Sequence, residues 1–157
     1  MTGSSRSLIA LCLSATITVV LPMSIRLAQA DGPRVISGLL ASCPDRSNCV
    51  SSAATDERHR IASLELKVTP DSAWQDLQAV IGATPGARIV TATSDYIRAE
   101  FTTGFLRFTD DTEFVLRAED NEIAVRSASR FGYYDFGVNR DRIEALRAKL
   151  RERGAVE

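Results

Sequence analysis

Histidine is almost absent from this sequence: His59 is the only one. It stands in the charged run Asp56-Glu57-Arg58-His59-Arg60, which reads as a solvated loop. A relay of Ser51 or Ser52, His59 and a distant aspartate is open by composition alone and has no signature around it. Cysteine is scarce as well, with three residues. Two thiols and one imidazole are too few for a zinc site of recognisable spacing. No glycine-rich phosphate loop is present. Asp110-Asp111 with Glu113 could face a hard cation, but acids in a turn are the commoner reading. No metal and no cofactor are therefore expected. Internal repeats and low-complexity tracts are missing too. So is any basic excess, with 19 basic against 20 acidic residues. That balance excludes an electrostatic nucleic-acid binder.

A long membrane-spanning run is also lacking. Leu8–Met23 is apolar over sixteen residues, short of the roughly 20 that cross a bilayer comfortably. Flanked by Arg6 and by Ala28-Gln29-Ala30, it reads as a secretory signal peptide cut after Ala30. Arg26 is unusual in such a segment. The alternative is an uncleaved N-terminal anchor that associates the protein with a membrane. Cys12 follows Leu11, a poor fit to a lipoprotein cleavage site. Cleavage would leave 17 basic and 20 acidic residues, net −3, in a chain long enough for one domain. The expected location is exported, periplasmic or secreted. In that setting Cys43 and Cys49, in CPDRSNC, are expected to form a disulfide. Closing so small a loop contributes about 2–3 kcal/mol in the chain-entropy model.

Past the signal, Asp31–Arg60 has no clear period and reads as an irregular arm carrying the disulfide loop. The folded domain is expected over 61–153. Ile61–Val68 alternates and reads as a strand that buries Ala62, Leu64, Leu66 and Val68. Thr69-Pro70-Asp71 opens a helix, with Thr69 as N-cap. Trp74, Leu77, Val80 and Ile81 share its apolar face, and Gly82 with Pro85-Gly86 stops it. Strand-like runs follow at Ala87–Thr93 and Tyr96–Thr102. Leu106–Phe108 then leads through a turn at Thr109-Asp110-Asp111 into Thr112–Arg117. A turn at Glu119–Asn121 precedes Glu122–Ser127. Tyr96, Arg98 and Glu100 share a strand face and read as a cross-strand salt-bridge ladder. The last helix runs from Asn139, as N-cap, to about Arg153, with Ile143, Leu146 and Leu150 buried and Gly154 as its stop. The expected fold is α+β: a two-layer sandwich, an antiparallel sheet of about five strands with two helices on one face, in the order β-α-β-β-β-β-α.

The densest chemistry lies on a connector, SASRFGYYDFGVNRDR at 127–142. Gly132 and Gly137 permit left-handed backbone. Arg130 is close enough in sequence to pair with Asp135. Tyr133, Tyr134 and Phe136 can wedge the loop against the core. These pieces make a rigid connector. Alternatively, Arg126, Arg130 and Arg140 converge at the amino end of the last helix as a site for a phosphate or carboxylate.

CPDRSNCVSS at Cys43–Ser52 and SASRFGYYDFGVNRDRIEALR at Ser127–Arg147 together resemble the family called domain of unknown function 1499, and Tyr96–Phe114 is similar to its central segment. The resemblance covers roughly Ser42 to Leu150. It implies an exported protein of bacterial or plastid type, and no particular activity. It marks Cys43, Asn48, Cys49, Arg126, Ser129, Arg130, Gly132, Asp135, Gly137, Asn139 and Arg140 as pattern residues. The candidate binding set is accordingly Asn48, Arg126, Ser129, Arg130, Tyr133, Asp135, Asn139 and Arg140. Three functions are expected from these residues. The first is a non-enzymatic envelope module binding a small anionic ligand or an envelope protein. The second is a structural or scaffolding protein, and the third a hydrolase or isomerase using Asp135 with Arg130.

Overall fold

The computed structural model describes residues 35–36, 39–104 and 107–157. The expectations for the signal segment, Arg6, Cys12 and Arg26 fall outside those residues, as does Leu106.

Thr69 precedes α1 (Pro70–Gly82) and stands in extended backbone. Its carbonyl accepts the Ala73 N–H at 3.0 Å, but its hydroxyl makes no capping bond, so the expected side-chain cap is absent. Trp74, Leu77, Val80 and Ile81 are all buried, as their three-and-four spacing requires. After the helix, Gly86 takes φ +77°, and a Cβ there would meet the Thr102 carbonyl oxygen at 2.6 Å. Only glycine fits that crossing into the sheet.

The sheet is an antiparallel meander of β5 (Ala87–Ala92), β6 (Tyr96–Thr102), β7 (Thr109–Arg117) and β8 (Glu122–Ser129). The free edge of β8 is covered by two short segments end to end. These are β3 (Cys49–Ser51), opposite 126–128, and β4 (Leu64–Glu65), opposite 122–123. The result is an α+β fold with five rows of strand, in which residues expected in the irregular arm supply an edge strand. The strand expected over Ile61–Val68 is reduced to two residues, though Leu64 and Leu66 are buried as the alternation requires. β1 (Val35–Ile36) and β2 (Leu39–Leu40) form a separate two-stranded ribbon.

The largest departure is at Thr109-Asp110-Asp111. The expected turn is absent, and these residues begin a nine-residue strand. Two adjacent acids are tolerated there because strand alternation sends them to opposite faces, where each meets an arginine.

One sheet face carries α1 and α2 (Val138–Glu152), the latter through Ile143, Leu146 and Leu150. Ile97, Phe114, Ile123 and Val125 are fully buried beneath them. Each such side chain contributes about 1.5–3 kcal/mol by leaving water. The opposite face is charged along β5, β6 and β7, and Leu40 of β2 packs there against Tyr96, Val115 and Ala124.

Candidate functional site

Residues 130–137 leave the end of β8 and enter α2. Asp135 organises their return. Its carboxylate accepts the Gly137 N–H at 3.0 Å through Oδ1 and the Asn139 N–H at 3.0 Å through Oδ2. It therefore supplies the side-chain cap of α2, satisfying donors that the first turn leaves without a helical partner. Asn139 is not the N-cap; it lies inside the first turn and is fully buried.

The Asn139 amide is the hub of a polar knot. Its Nδ2 faces the Asn48 carbonyl at 3.1 Å, the Ser129 hydroxyl at 2.9 Å and Asp135 Oδ2 at 2.8 Å. Its Oδ1 accepts from the Ser127 hydroxyl at 2.7 Å and from Arg142 Nη1 at 2.6 Å. Arg142 also pairs with Asp110 at 2.5 Å. Asn48 completes the knot. Its Nδ2 donates to the Gly132 carbonyl at 2.7 Å, and its carbonyl accepts the Ser129 N–H at 2.9 Å. The Cys43–Cys49 disulfide closes the loop that holds Asn48 in place. Ser47, in that same loop, accepts the Asp135 N–H at 3.3 Å. The two segments with family-like motifs are thus the two halves of one buried junction.

The arginines do not converge on the amino end of α2. Arg130 turns away from Asp135 to the charged sheet face, where it binds Asp111 at 2.8 Å and Glu100 at 2.5 Å. Arg98 joins them, 3.0 Å from Asp111 and 3.5 Å from Glu100, and Arg88 reaches Glu100 at 2.5 Å. The ladder expected at Arg98 and Glu100 is therefore present, and Arg130 is part of it. Burial would raise the Asp111 and Glu100 carboxyls, but the adjoining guanidiniums outweigh it and hold both below the ordinary carboxylate range. Arg126 lies deeper on the same face. It pairs with Glu113 at 2.8 Å, and both side chains are only 2% exposed. Glu113 also accepts from the Tyr96 hydroxyl at 3.0 Å. Burial, followed by the Glu113 charge, pushes that hydroxyl's pKa well above its usual value. Arg140 donates to the Arg58 carbonyl at 3.2 Å.

The aromatic wedge is likewise absent. Phe131, Tyr133, Tyr134 and Phe136 are 76%, 75%, 62% and 85% exposed. Tyr134 and Phe136 meet edge to face at 4.9 Å, and the Arg46 guanidinium sits 4.7 Å over the Tyr133 ring. Phe136 has φ +57° beside Gly137 at φ +83°. For a bulky side chain that backbone is an outlier, held in place here by the Asp135 cap.

Asp110, Asp111 and Glu113 make no cation site, since each is committed to a different arginine. Among the described residues no cluster of histidine, cysteine and acids is placed to hold a metal. His59 is buried, contrary to its reading as a solvated loop residue. Its Nδ1 lies 2.9 Å from Asp56, and its Nε2 lies 2.9 Å from the Arg46 carbonyl. The sequence reading named the knot's members Asn48, Ser129, Asp135 and Asn139, and missed Ser127, Asp110 and Arg142. It also missed Asp111 and Glu113 as arginine partners. Treating TDDTEF as strand, with alternate residues on each face, would have placed Asp111 and Glu113 on the face of Arg98 and Glu100.

Fold and junction together define a two-layer α+β module in which a disulfide loop and the last helix clamp an aromatic connector. The chain belongs to the family described as Protein of unknown function (DUF1499), whose model matches residues 39–150. No curated protein and no solved structure matches it.

Proposed function

We propose that this is a non-enzymatic binding module of the cell envelope, exported through its N-terminal segment, which makes contact through the connector at 130–137. The observation that carries this reading is the exposure of four aromatic side chains on eight residues whose base is a polar knot centred on the fully buried Asn139. Aromatics set outward at such cost in solvent contact mark interaction surfaces. The left-handed Phe136 adds weight, because strain of that kind is retained where a side chain must be presented. The Cys43–Cys49 bridge fits an oxidising compartment.

A scaffolding role draws support from a different observation: Arg126 and Arg130 are spent on internal carboxylates, which leaves less cation for a small anionic ligand. The hydrolase or isomerase reading has the least support. Asp135 commits both oxygens to capping, and Arg130 is directed elsewhere.

A photoreactive phenylalanine at position 136, introduced in the host cell, tests the reading. Irradiation is expected to give a covalent adduct, whether to protein or to lipid, while the same residue at exposed Gln75 on α1 gives none. No adduct at 136 would overturn it.

A further inference from the structure

We infer that the connector's occupant is an anionic lipid surface, a proposal that rests on the contact reading above and names its chemistry. Strand pairing places two loops at one end of the sheet. Asp110 lies opposite Ser129, so the turn joining β6 to β7 and the connector leaving β8 emerge side by side. Phe108 on that turn is also exposed, which brings five outward aromatics to this end, with half-exposed Val138 behind them. Trp74 and its Thr93 partner lie at the opposite end of the sheet, near the turn between β5 and β6.

The charge around these rings favours one partner. Arg46, Arg107 and Arg140 flank the aromatics, and none has a carboxylate partner among the described residues. Two acids of the same region are occupied, Asp135 in capping α2 and Asp45 in a pair with Arg58, while exposed Asp141 follows Arg140 in the first turn of α2. A phenyl and phenol cluster bordered by unneutralised guanidiniums matches the acyl–headgroup boundary of an anionic leaflet. Tyrosine there keeps its hydroxyl wet while its ring is buried, and arginine meets phosphate. A protein partner would be expected to need a flat or concave apolar patch with a polar rim. This end of the molecule instead presents protruding rings on two neighbouring loops, which a fluid interface can accommodate.

The test uses the full chain with Phe136→Trp as a reporter. Phe136 is the most exposed of the connector rings and its ring contact is with Tyr134, so the change leaves the core untouched, and buried Trp74 gives a constant background. Phe131→Trp is the second reporter, should the first lower the melting temperature. Vesicles of phosphatidylglycerol and phosphatidylcholine carrying brominated acyl chains are expected to quench the reporter. Phosphatidylcholine alone should quench it far less. Gln75→Trp, the control for tethering by the N-terminal segment, should stay unquenched. The triple variant Arg46→Gln, Arg107→Gln, Arg140→Gln should bind anionic vesicles more weakly, on the order of a hundredfold at low salt. Absence of quenching at 136 and 131, equal quenching at Gln75, or indifference to lipid charge would each overturn the lipid assignment. A protein adduct at 136 without vesicle quenching would overturn it and leave the contact reading standing. Absence of both removes the two together.

Discussion

Phe136 carries a cost at the scale of single residues. Its left-handed backbone is one that glycine adopts freely and a bulky residue does not. Phe136→Gly is expected to leave stability unchanged or raise it by up to about 1 kcal/mol, because relieved strain offsets the added freedom of the unfolded chain. Contact through position 136 should be lost. Denaturant melts of the two proteins check the first half. A loss above about 1 kcal/mol would mean that the ring packs in a way its exposure denies. Asn139 behaves in the opposite sense. It is fully buried and joins four segments, so Asn139→Ala is expected to cost on the order of 3 kcal/mol by orphaning several buried groups at once. Arg126 and Glu113 form a pair of a third kind. Arg126→Met alone should cost about 3–5 kcal/mol by removing the guanidinium that pairs with the buried Glu113 carboxylate. Adding Glu113→Leu should restore much of that loss, which equilibrium unfolding of the single and double variants will show.

At the scale of elements, the charged face of β5, β6 and β7 sets the response to acid. Glu100 and Asp111 have folded pKa values below their ordinary 4.5 and 3.8. Each therefore contributes stability that is fully present above the ordinary value and is lost as pH falls through the depressed one. Melting temperature should begin to drop below about pH 4.5 and continue to fall below 3.8. Glu100→Gln with Asp111→Asn should flatten that limb. An acid limb of unchanged steepness in the double variant would place the titration elsewhere. The disulfide loop acts on a second element, because it positions Asn48 and Ser47 against the connector. Replacing both cysteines by serine is expected to cost about 2–3 kcal/mol, and hydrogen exchange should quicken first at Asp135 and Ser129, whose amides bond that loop. Uniform quickening across the sheet would show that the bridge acts only on the unfolded chain.

These two scales also show what could be read before the fold. Both helices and their apolar stripes were legible, because Trp74, Leu77, Val80 and Ile81, and likewise Ile143, Leu146 and Leu150, repeat at helical spacing. Asn48, Ser129, Asp135 and Asn139 were legible as a set, though not their roles. Nothing local tells that Asp135 caps the helix, or that Arg130 passes it over for Asp111, nineteen positions away in sequence. Local pairing in sequence was the wrong guide for Arg130, since cross-strand register decides which acid it meets. The aromatics were misplaced for a related reason: ring size argues for burial, while exposure depends on whether the core has room. The helix face is already filled by Phe101, Phe114 and the two helical stripes. Strand β3 was hidden because three residues of CVS carry no period, and only the free edge of β8 makes them a strand.

For the whole molecule, the outward aromatics gather at one end of the sheet. The knot beneath the connector is centred on buried Asn139, whose amide is hydrogen-bonded at both its oxygen and its nitrogen, so the rings above it can face outward without loosening the fold. Replacing Phe131, Tyr133 and Phe136 together by serine should therefore move the melting temperature little, since surface changes of this kind stay within about 0.5 kcal/mol each. The most direct test compares hydroxyl-radical oxidation of these rings in purified protein and in the intact cell envelope. The account predicts rapid oxidation of Phe131, Tyr133, Tyr134 and Phe136 in the purified protein and marked protection in the envelope, with Gln75-side peptides of α1 unchanged. Equal oxidation of the connector in both settings would contradict it.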